Sequence, residues 1–334
     1  MTQRLTRIAG LGHYVPPRVV TNHDLEQLMD TSDAWIQERT GIKQRHFAAP
    51  GVTCTDLAAH AARAALADAG WTTGDVQLLI FATLSPDLYF PGNGVLLQHE
   101  LGLGEIGAMD IRTQCTGFIY GLSAADGYIR MGMVDRVLLI GAELQSPGIR
   151  MTTAGRDTGV LFGDGAGAVC LAVTDGEDGS HVLGHRLHSN GKYALELCIQ
   201  KPGAACLPWI SKEMIDEGSV YPYMNGREVF KHAITKFPDV IREVLCAHQL
   251  TPDDLTMVIP HQANLRITEA VRKRLELPED KVYSNIDRFG NTTAASIPIA
   301  FSEVVKHGKV RRGDLVCVAS FGSGFTWGAS LLRF

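Results

Sequence analysis

The sequence predicts an α/β fold made of two similar halves, residues 1–178 and 179–334. Three observations point there. Apolar runs of strand length alternate with longer helical patterns, and such strands belong in sheets covered by helices on both faces. Two helix-to-strand junctions recur: Asp75–Ile80 (DVQLLI) matches Asp254–Ile259 (DLTMVI), and Asp135–Ile140 (DRVLLI) matches Asp314–Ala319 (DLVCVA). Both pairs lie the same distance apart in sequence, which a duplicated half explains better than the general likeness of such junctions. The 35 glycines suggest tight turns and close backbone packing.

Leu5–Leu11 reads as the first strand, stopped by Gly12 and Pro16-Pro17. Thr21 or Asn22 caps a helix beginning at Asp24, and a second helix covers Asp33–Arg39, ended by Gly41. Thr55–Ala69 is an Ala-rich helix and Val76–Thr83 a buried strand. The loop Ser85–Asn93 holds Asp87, Tyr89, Phe90 and Pro91, and Val95–Leu101 is helical. Asp110–Leu122 (DIRTQCTGFIYGL) reads as a strand, a sharp turn and a buried helix. Val137–Ala142 is a strand, and Phe162–Val173 runs from a Gly-rich turn into another. In the second half a helix at Glu228–His248 precedes the strand Met257–Pro260. Leu265–Leu275 is helical, and Ile286–Asn291 leads to a helix at Ala294–His307. Leu315–Ala319 is a strand ending in the loop Phe321–Gly324, and Trp327–Arg333 is the last strand. His188–Met224 breaks the symmetry. It carries Pro202, Pro208 and Pro222 among scattered polar residues and reads as an insertion, or a lid over a site.

Composition narrows the function classes. The chain is 45% hydrophobic and 20% charged, ordinary for a globular protein. A net charge of −5 argues against bulk attraction to nucleic acid. No apolar run reaches the ~18 residues of a membrane span, and the N-terminal residues lack the apolar stretch of a secretory signal. Seven cysteines without paired spacing, mostly inside apolar runs, fit free thiols in a reducing cytoplasm rather than a disulfide frame or zinc site. The glycines of FGDGAG precede an apolar strand rather than a helix, so they read as close-packing residues and not as a nucleotide loop.

Chemistry begins at Cys115. At the first turn of a helix a thiol meets unpaired backbone N–H groups and the positive end of the dipole. Both favour the thiolate and predict a pKa below the usual ~8.5. A small buried Cys packed as an apolar residue is the plain alternative. The stretch Met257–Asn264 (MVIPHQAN) delivers His261 to the carboxyl end of a strand, where open α/β sheets hold their sites. Ser284–Thr292 (SNIDRFGNT) places Asn291 in a turn before a helix. Singly, these are a satisfied structural His and a helix cap. Together with Cys115 they make a Cys/His/Asn site. In a hydrolase the His serves as base to Cys and the Asn orients it. In a carbon–carbon bond-forming enzyme the Cys carries an acyl group, while His and Asn donate hydrogen bonds to a thioester oxygen and stabilise an enolate. Backbone N–H groups around Ser323, with that of Cys115, suit an oxyanion hole.

These motifs, in this order, with TSDAWIQERTGIKQRH, FGDGAGAV, NGREVFKHA and FGSGFTWGASLLRF, resemble β-ketoacyl-acyl-carrier-protein synthase III. That family belongs to the thiolase-like condensing enzymes, and the likeness covers nearly the whole chain. It implies a five-layer αβαβα fold, a homodimer and a ping-pong Claisen condensation that initiates fatty acid synthesis. An acyl-CoA acylates Cys115; malonyl-acyl-carrier protein then loses CO2 and attacks, assisted by His261 and Asn291. Both are substrates, so no cofactor or metal is implied. A related acyltransferase, a condensing enzyme of specialised metabolism, and a non-catalytic carrier-protein-binding subunit are the alternatives.

By the same resemblance Trp35, Arg39, Arg156 and Asn264 fall at CoA-binding positions. Trp and Arg can sandwich an aromatic base, and Arg pairs with phosphate. Phe90 falls where the family closes the acyl pocket from the partner subunit. Lys231, Arg266, Lys273 and Arg274 match a basic patch for the acidic carrier protein. The chain departs from the family pattern at four places. Thr116 follows Cys115 where many members carry a small apolar residue, Ser323 replaces a frequent Gly, Arg227 stands where some have Asn, and His188–Met224 is longer. Phe90 favours short acyl groups. Leu195, Leu197, Ile199, Leu207, Trp209 and Ile210 of the insertion supply apolar surface, from which we expect a chain longer than acetyl.

Overall fold

Two sheets frame the computed structural model, which describes residues 4–334. The first contains β1 (Leu5–Tyr14), β2 (Leu78–Ala82), β3 (Gly107–Ile111), β4 (Arg136–Glu143) and β5 (Gly165–Thr174), in the spatial order β1-β5-β4-β2-β3. The second contains β6 (His181–Ser189), β7 (Met257–Pro260), β8 (Leu315–Gly322) and β9 (Thr326–Arg333), in the order β7-β8-β9-β6. In the first sheet β2 is parallel to β4, β4 antiparallel to β5, and β5 antiparallel to β1. The second sheet repeats those directions through β7, β8, β9 and β6. The recurring junctions of the sequence are the entries to β2 and β7 and to β4 and β8. Only β3 lacks a counterpart in the second sheet among the described residues.

Helices complete five layers. Gly117–Arg130 and Ser296–Lys306 lie between the sheets and pack on both. Cys54–Ala69 and Asn93–Leu101 cover the outer face of the first sheet; Gly226–Cys246 and Leu265–Arg274 cover the second. The central core joins Ile80, Leu139 and Val169 to Phe118, Leu122 and Phe301, and these to Ile259, Val318 and Leu332. Each such side chain contributes about 1.5–3 kcal/mol on burial.

The outer helix Cys54–Ala69 shows why the sequence folds so locally. Thr53 and Asp56 form a capping box at its start, and Gly70 ends it with φ 66°. Its buried face is mostly Ala because β1 is bare beneath it. A Cβ at Gly12 would stand 2.3 Å from the Ala65 nitrogen, so only glycine lets the helix backbone settle on the strand.

The sequence reading differs from the fold in detail. The strand expected at Val76 begins at Leu78, because Thr73–Asp75 forms a tight turn closed by Thr72 and Asp75. β6 was not expected. It is an edge strand of half-buried residues, overlapping the start of the presumed insertion. Within that insertion Leu197–Cys198 pairs with Tyr223–Met224, and Lys212–Asp216 is a short helix. Among the described residues no helix is long and apolar enough to cross a membrane.

Candidate active site

Segments from both sheets converge on one buried thiol. After β3 the chain passes through the turn Gln114–Thr116 into the helix Gly117–Arg130. Gln114 adopts φ 47°, uncommon for a non-glycine residue, and sharpens that turn. The backbone N–H groups of Ser323 and of Cys115 itself lie where they favour the Cys115 thiolate. Gly322 permits the approach: a Cβ there would stand 2.4 Å from the Cys115 Cβ and 2.9 Å from its Sγ. Ser320 Oγ donates to the Cys115 carbonyl at 2.7 Å. The thiol is not acidified as its place at a helix start predicted. Burial first, then the charge of Glu143, push it up to about 12 against the pull of the two N–H donors. Desolvation outweighs the helix start, so the resting group is S–H.

His261 follows β7, and its N–H donates to the Ala319 carbonyl at 2.9 Å. Nδ1 lies 2.7 Å from Ser296 Oγ, while Nε2 is enclosed without a protein partner. Burial lowers the imidazole to about 3, so it is neutral at pH 7. The tautomer is tied to the Ser296 hydroxyl. Ser296 has one hydroxyl proton and two acceptors in reach, His261 Nδ1 and the Thr293 carbonyl at 2.9 Å. The Thr293 carbonyl already accepts the Ser296 backbone N–H. Given to Nδ1, the hydroxyl proton leaves the imidazole proton on Nε2, an unpartnered donor facing the cavity; given to the Thr293 carbonyl, it leaves Nδ1–H to donate to Oγ.

Asn291 is oriented by its backbone and its own side chain. Its N–H donates to the Leu161 carbonyl at 2.8 Å, and its carbonyl accepts from Gly163 at 3.1 Å. Oδ1 accepts the Thr293 N–H at 2.9 Å, which leaves Nδ2 to donate elsewhere. Cys115, His261, Asn291 and Ser323 line one cavity of about 810 Å³.

The other expected residues divide. Trp35, Arg39, Asn264 and Arg266 line the same cavity. The Arg39 and Arg156 guanidiniums lie 4.8 and 4.7 Å from the Trp35 ring centroid. Both cations therefore stack on the indole itself, and Arg156 does so from outside the cavity lining. Asn264 donates to the Arg39 carbonyl and accepts the Arg266 N–H, each at 2.9 Å, so it fixes the helix start beside Arg39. Phe90 is 80% exposed and lies outside its own chain's cavity. Leu197, Ile199 and Arg227 line the cavity; Leu195, Leu207, Trp209 and Ile210 do not. Of the basic patch, Lys231 pairs with Glu228, Arg266 faces the Phe230 ring, and Arg274 donates to the Ile234 carbonyl. Lys273 stands beside Arg274 in the last turn of its helix.

Comparison with known proteins gives the family. A family model described as 3-oxoacyl-[acyl-carrier-protein (ACP)] synthase III matches residues 109–191, and its C-terminal counterpart matches 245–334. The β-ketoacyl-[acyl-carrier-protein] synthase III of Acidiphilium cryptum is 45% identical over 329 residues, 98% of this chain and 99% of that protein. That of Xanthomonas campestris is 43% identical, with 100% of each chain covered. The crystal structure of the 3-oxoacyl-[acyl-carrier-protein] synthase III of Aquifex aeolicus matches with TM-score 0.90 and 43% identity, covering 98% of this chain and 100% of that one. A priming β-ketosynthase of a polyketide pathway matches with TM-score 0.89 and 31% identity, covering 99% and 96%.

The chain belongs to the β-ketoacyl-[acyl-carrier-protein] synthase III family. It is a condensing acyltransferase on a thiolase-like fold.

Sequence reasoning passed over several residues of this synthase's site. Ser296, at the start of the helix Ser296–Lys306, anchors His261. Glu143 is fully buried and accepts from Ser85 Oγ at 2.7 Å, Thr83 Oγ1 and the Leu84 N–H at 3.2 Å, and the Ala294 N–H at 3.3 Å. Burial raises its carboxyl to about 7 despite those donors. Gln145 donates to Thr293 Oγ1 at 2.9 Å, so both residues brace the turn that holds Asn291. Arg112 and Gln114 line the cavity beside Cys115. Two signals were present: a charge ending an apolar strand at Glu143, and polar residues flanking the cysteine in DIRTQC.

Proposed function

We propose that Cys115 is the acyl carrier of this condensing enzyme, and that His261 and Asn291 serve the carbon–carbon bond-forming half. In the first half the Cys115 thiol attacks the carbonyl of an acyl-CoA. The new S–C bond replaces the bond to CoA, and CoA leaves as a thiol with the Cys115 proton. The N–H groups of Ser323 and Cys115 bind the carbonyl oxygen as it gains charge. In the second half malonyl-acyl-carrier protein loses CO2. The electron pair of the broken C–C bond becomes an enolate whose oxygen takes hydrogen bonds from His261 Nε2–H and Asn291 Nδ2–H. The enolate carbon attacks the acyl carbonyl, the C–S bond breaks with its electron pair going to sulfur, and the Cys115 thiolate takes a proton from solvent. The 3-oxoacyl product leaves on the carrier protein.

One observation supports this over a hydrolase. Burial lowers the His261 imidazole to about 3, which makes it a poor base, and its Nε2 has no protein partner, which suits a donor to substrate. Trp35, Arg39 and Asn264 at the same cavity suit CoA. Lys231, Arg266, Lys273 and Arg274, on two adjacent helices, suit an acidic carrier. Homodimer formation through the sheet edge at β3 fits the exposed Leu88, Tyr89 and Phe90, with Phe90 covering the pocket of a second copy. A cytoplasmic location fits the seven free cysteines. The deciding experiment is intact-protein mass after incubation with a panel of acyl-CoAs. Wild type should gain one acyl group and Cys115→Ala none; acylation of that variant would place the nucleophile elsewhere.

A further inference from the structure

We infer that Thr116 and Ser323 are positioning residues that brace the oxyanion loop, Phe321–Thr326, against Cys115 from two sides. The inference rests on the reading of Cys115 as the acylated nucleophile and adds two side chains that the reading does not use. Ser323 lines the cavity with Cys115 and follows Gly322, whose Cβ would stand 2.9 Å from Sγ, and its backbone N–H favours the thiolate. A donor of this kind works only while the peptide that carries it stays in place. That peptide lies in the tight connection between β8 and β9, and hydroxyl groups hold it.

On one side the Ser323 hydroxyl donates to the carbonyl of Leu197, in the short strand pair of the insertion. On the other, Thr326 Oγ1 lies 3.0 Å from the Ser323 carbonyl oxygen and 2.8 Å from Thr116 Oγ1. Thr116 Oγ1 also lies 2.7 Å from the Thr113 carbonyl. Two hydroxyl protons cannot fill three contacts. The Thr113 carbonyl already accepts the Thr116 N–H at 3.1 Å, whereas the Ser323 carbonyl has no backbone donor among the described residues. The arrangement that orphans nothing runs from Thr116 to Thr326 to the Ser323 carbonyl. The residue after the nucleophile, the oxyanion donor and a strand lining the acyl cavity are thus tied together. Both braces use hydroxyls where the family resemblance places small residues, so they belong to this chain rather than to the general mechanism.

The test is single-turnover acylation of the full-length protein by acetyl- and octanoyl-CoA, followed by intact mass, for Thr116→Val, Thr116→Ser, Ser323→Ala and the Thr116→Val/Ser323→Ala pair. Thr116→Val and Ser323→Ala should each slow acyl transfer about tenfold, short of the loss from removing an oxyanion donor outright. The KM for acyl-CoA should stay within about twofold, because ground-state binding is untouched. Thr116→Ser should restore the wild-type rate. The double variant should fall less than about threefold below either single variant, since losing either brace frees the same peptide. In Thr116→Val the pH midpoint of Cys115 alkylation by iodoacetamide should move up, because the Ser323 N–H favours the thiolate. Glu143, whose charge acts on the same thiol, and His261, which lines the same cavity, are unchanged in that variant. An unaltered rate in Thr116→Val, failure of Thr116→Ser to rescue, or two losses that simply multiply would overturn the inference. Absence of acylation at Cys115 in the wild type would sink the reading beneath it instead.

Discussion

Ser296→Ala isolates the part of the site that sets the state of His261. The substitution removes the hydroxyl 2.7 Å from Nδ1 and leaves the imidazole itself in place. With no proton offered to Nδ1, the tautomer with its proton on Nδ1 becomes competitive, and Nε2 then turns a lone pair toward the enolate oxygen. Two limits bound the effect. Losing one ordinary hydrogen bond costs about 1 kcal/mol, roughly fivefold in rate. Losing an oxyanion donor entirely costs ~2.7–4 kcal/mol, roughly 10²–10³-fold. Decarboxylation of malonyl-acyl-carrier protein by Ser296→Ala should therefore fall between about fivefold and a hundredfold. Acylation of Cys115 should fall by less than about twofold, since no step of it runs through His261. The assay pairs CO2 release with an acyl-enzyme burst read by intact mass, and ¹⁵N NMR of His261 reports the tautomer. Equal losses in both half-reactions, or an unchanged tautomer with undiminished CO2 release, would refute the assignment.

Gly322→Ala should abolish most acylation, about a hundredfold or more, because its Cβ would stand 2.4 Å from that of Cys115 and push the thiol off its donors. Single-turnover mass measurement checks it, with a thermal melt to show that the variant folds. The pH dependence of stability should hold two opposed slopes. His261 sits at about 3 against an ordinary 6.5, so its contribution is present above pH 6.5 and lost as pH falls toward 3. Glu143 sits at about 7 against 4.5, so its contribution is present below pH 4.5 and lost as pH rises to 7. Each amounts to roughly 2 kcal/mol between pH 5 and pH 7. Relative to wild type, His261→Ala should gain stability at pH 5 and Glu143→Gln should lose it, measured by urea unfolding at both pH values. Finally, Leu197 and Ile199 line the cavity and each buried CH2 of a substrate is worth ~0.8 kcal/mol, so kcat/KM should rise from acetyl- to medium-chain acyl-CoA. A steep fall beyond four carbons would leave a short-chain starter enzyme.

Much of the frame was legible because β2, β4, β7 and β8 are buried on both faces and read as unbroken apolar runs. β6 was not, since its residues are half-buried at an edge and their hydropathy has no period to detect. Cys115, His261 and Asn291 stand at strand ends or helix starts, where sequence punctuation marks two of them: Pro260 before His261, Gly290 before Asn291. Their electrostatics were not legible. The helix start beside Cys115 is a local feature, but Gly322 and Glu143, which enclose and oppose the thiolate, come from distant segments. The same holds for the Thr116–Thr326 contact, and for Phe90, whose exposed ring has nothing to close within its own chain.

The raised thiol and the lowered imidazole are one effect with two results. Burial disfavours charge of either sign, so it holds Cys115 as S–H and His261 as a neutral ring. For a hydrolase that relies on a thiolate–imidazolium pair, this would be a poor arrangement. For thioester exchange it costs less, because the proton that leaves Cys115 departs on the CoA thiol and no free charge need accumulate. The gain comes in the second half. There a neutral donor can bind an enolate oxygen without first surrendering a proton to it, and the low dielectric strengthens every hydrogen bond that the oxygen receives. The enclosure that makes Cys115 a reluctant thiolate thus serves the step in which negative charge must appear on the substrate, and it is there that Ser296, Thr293 and Glu143 concentrate their bracing of His261 and Asn291.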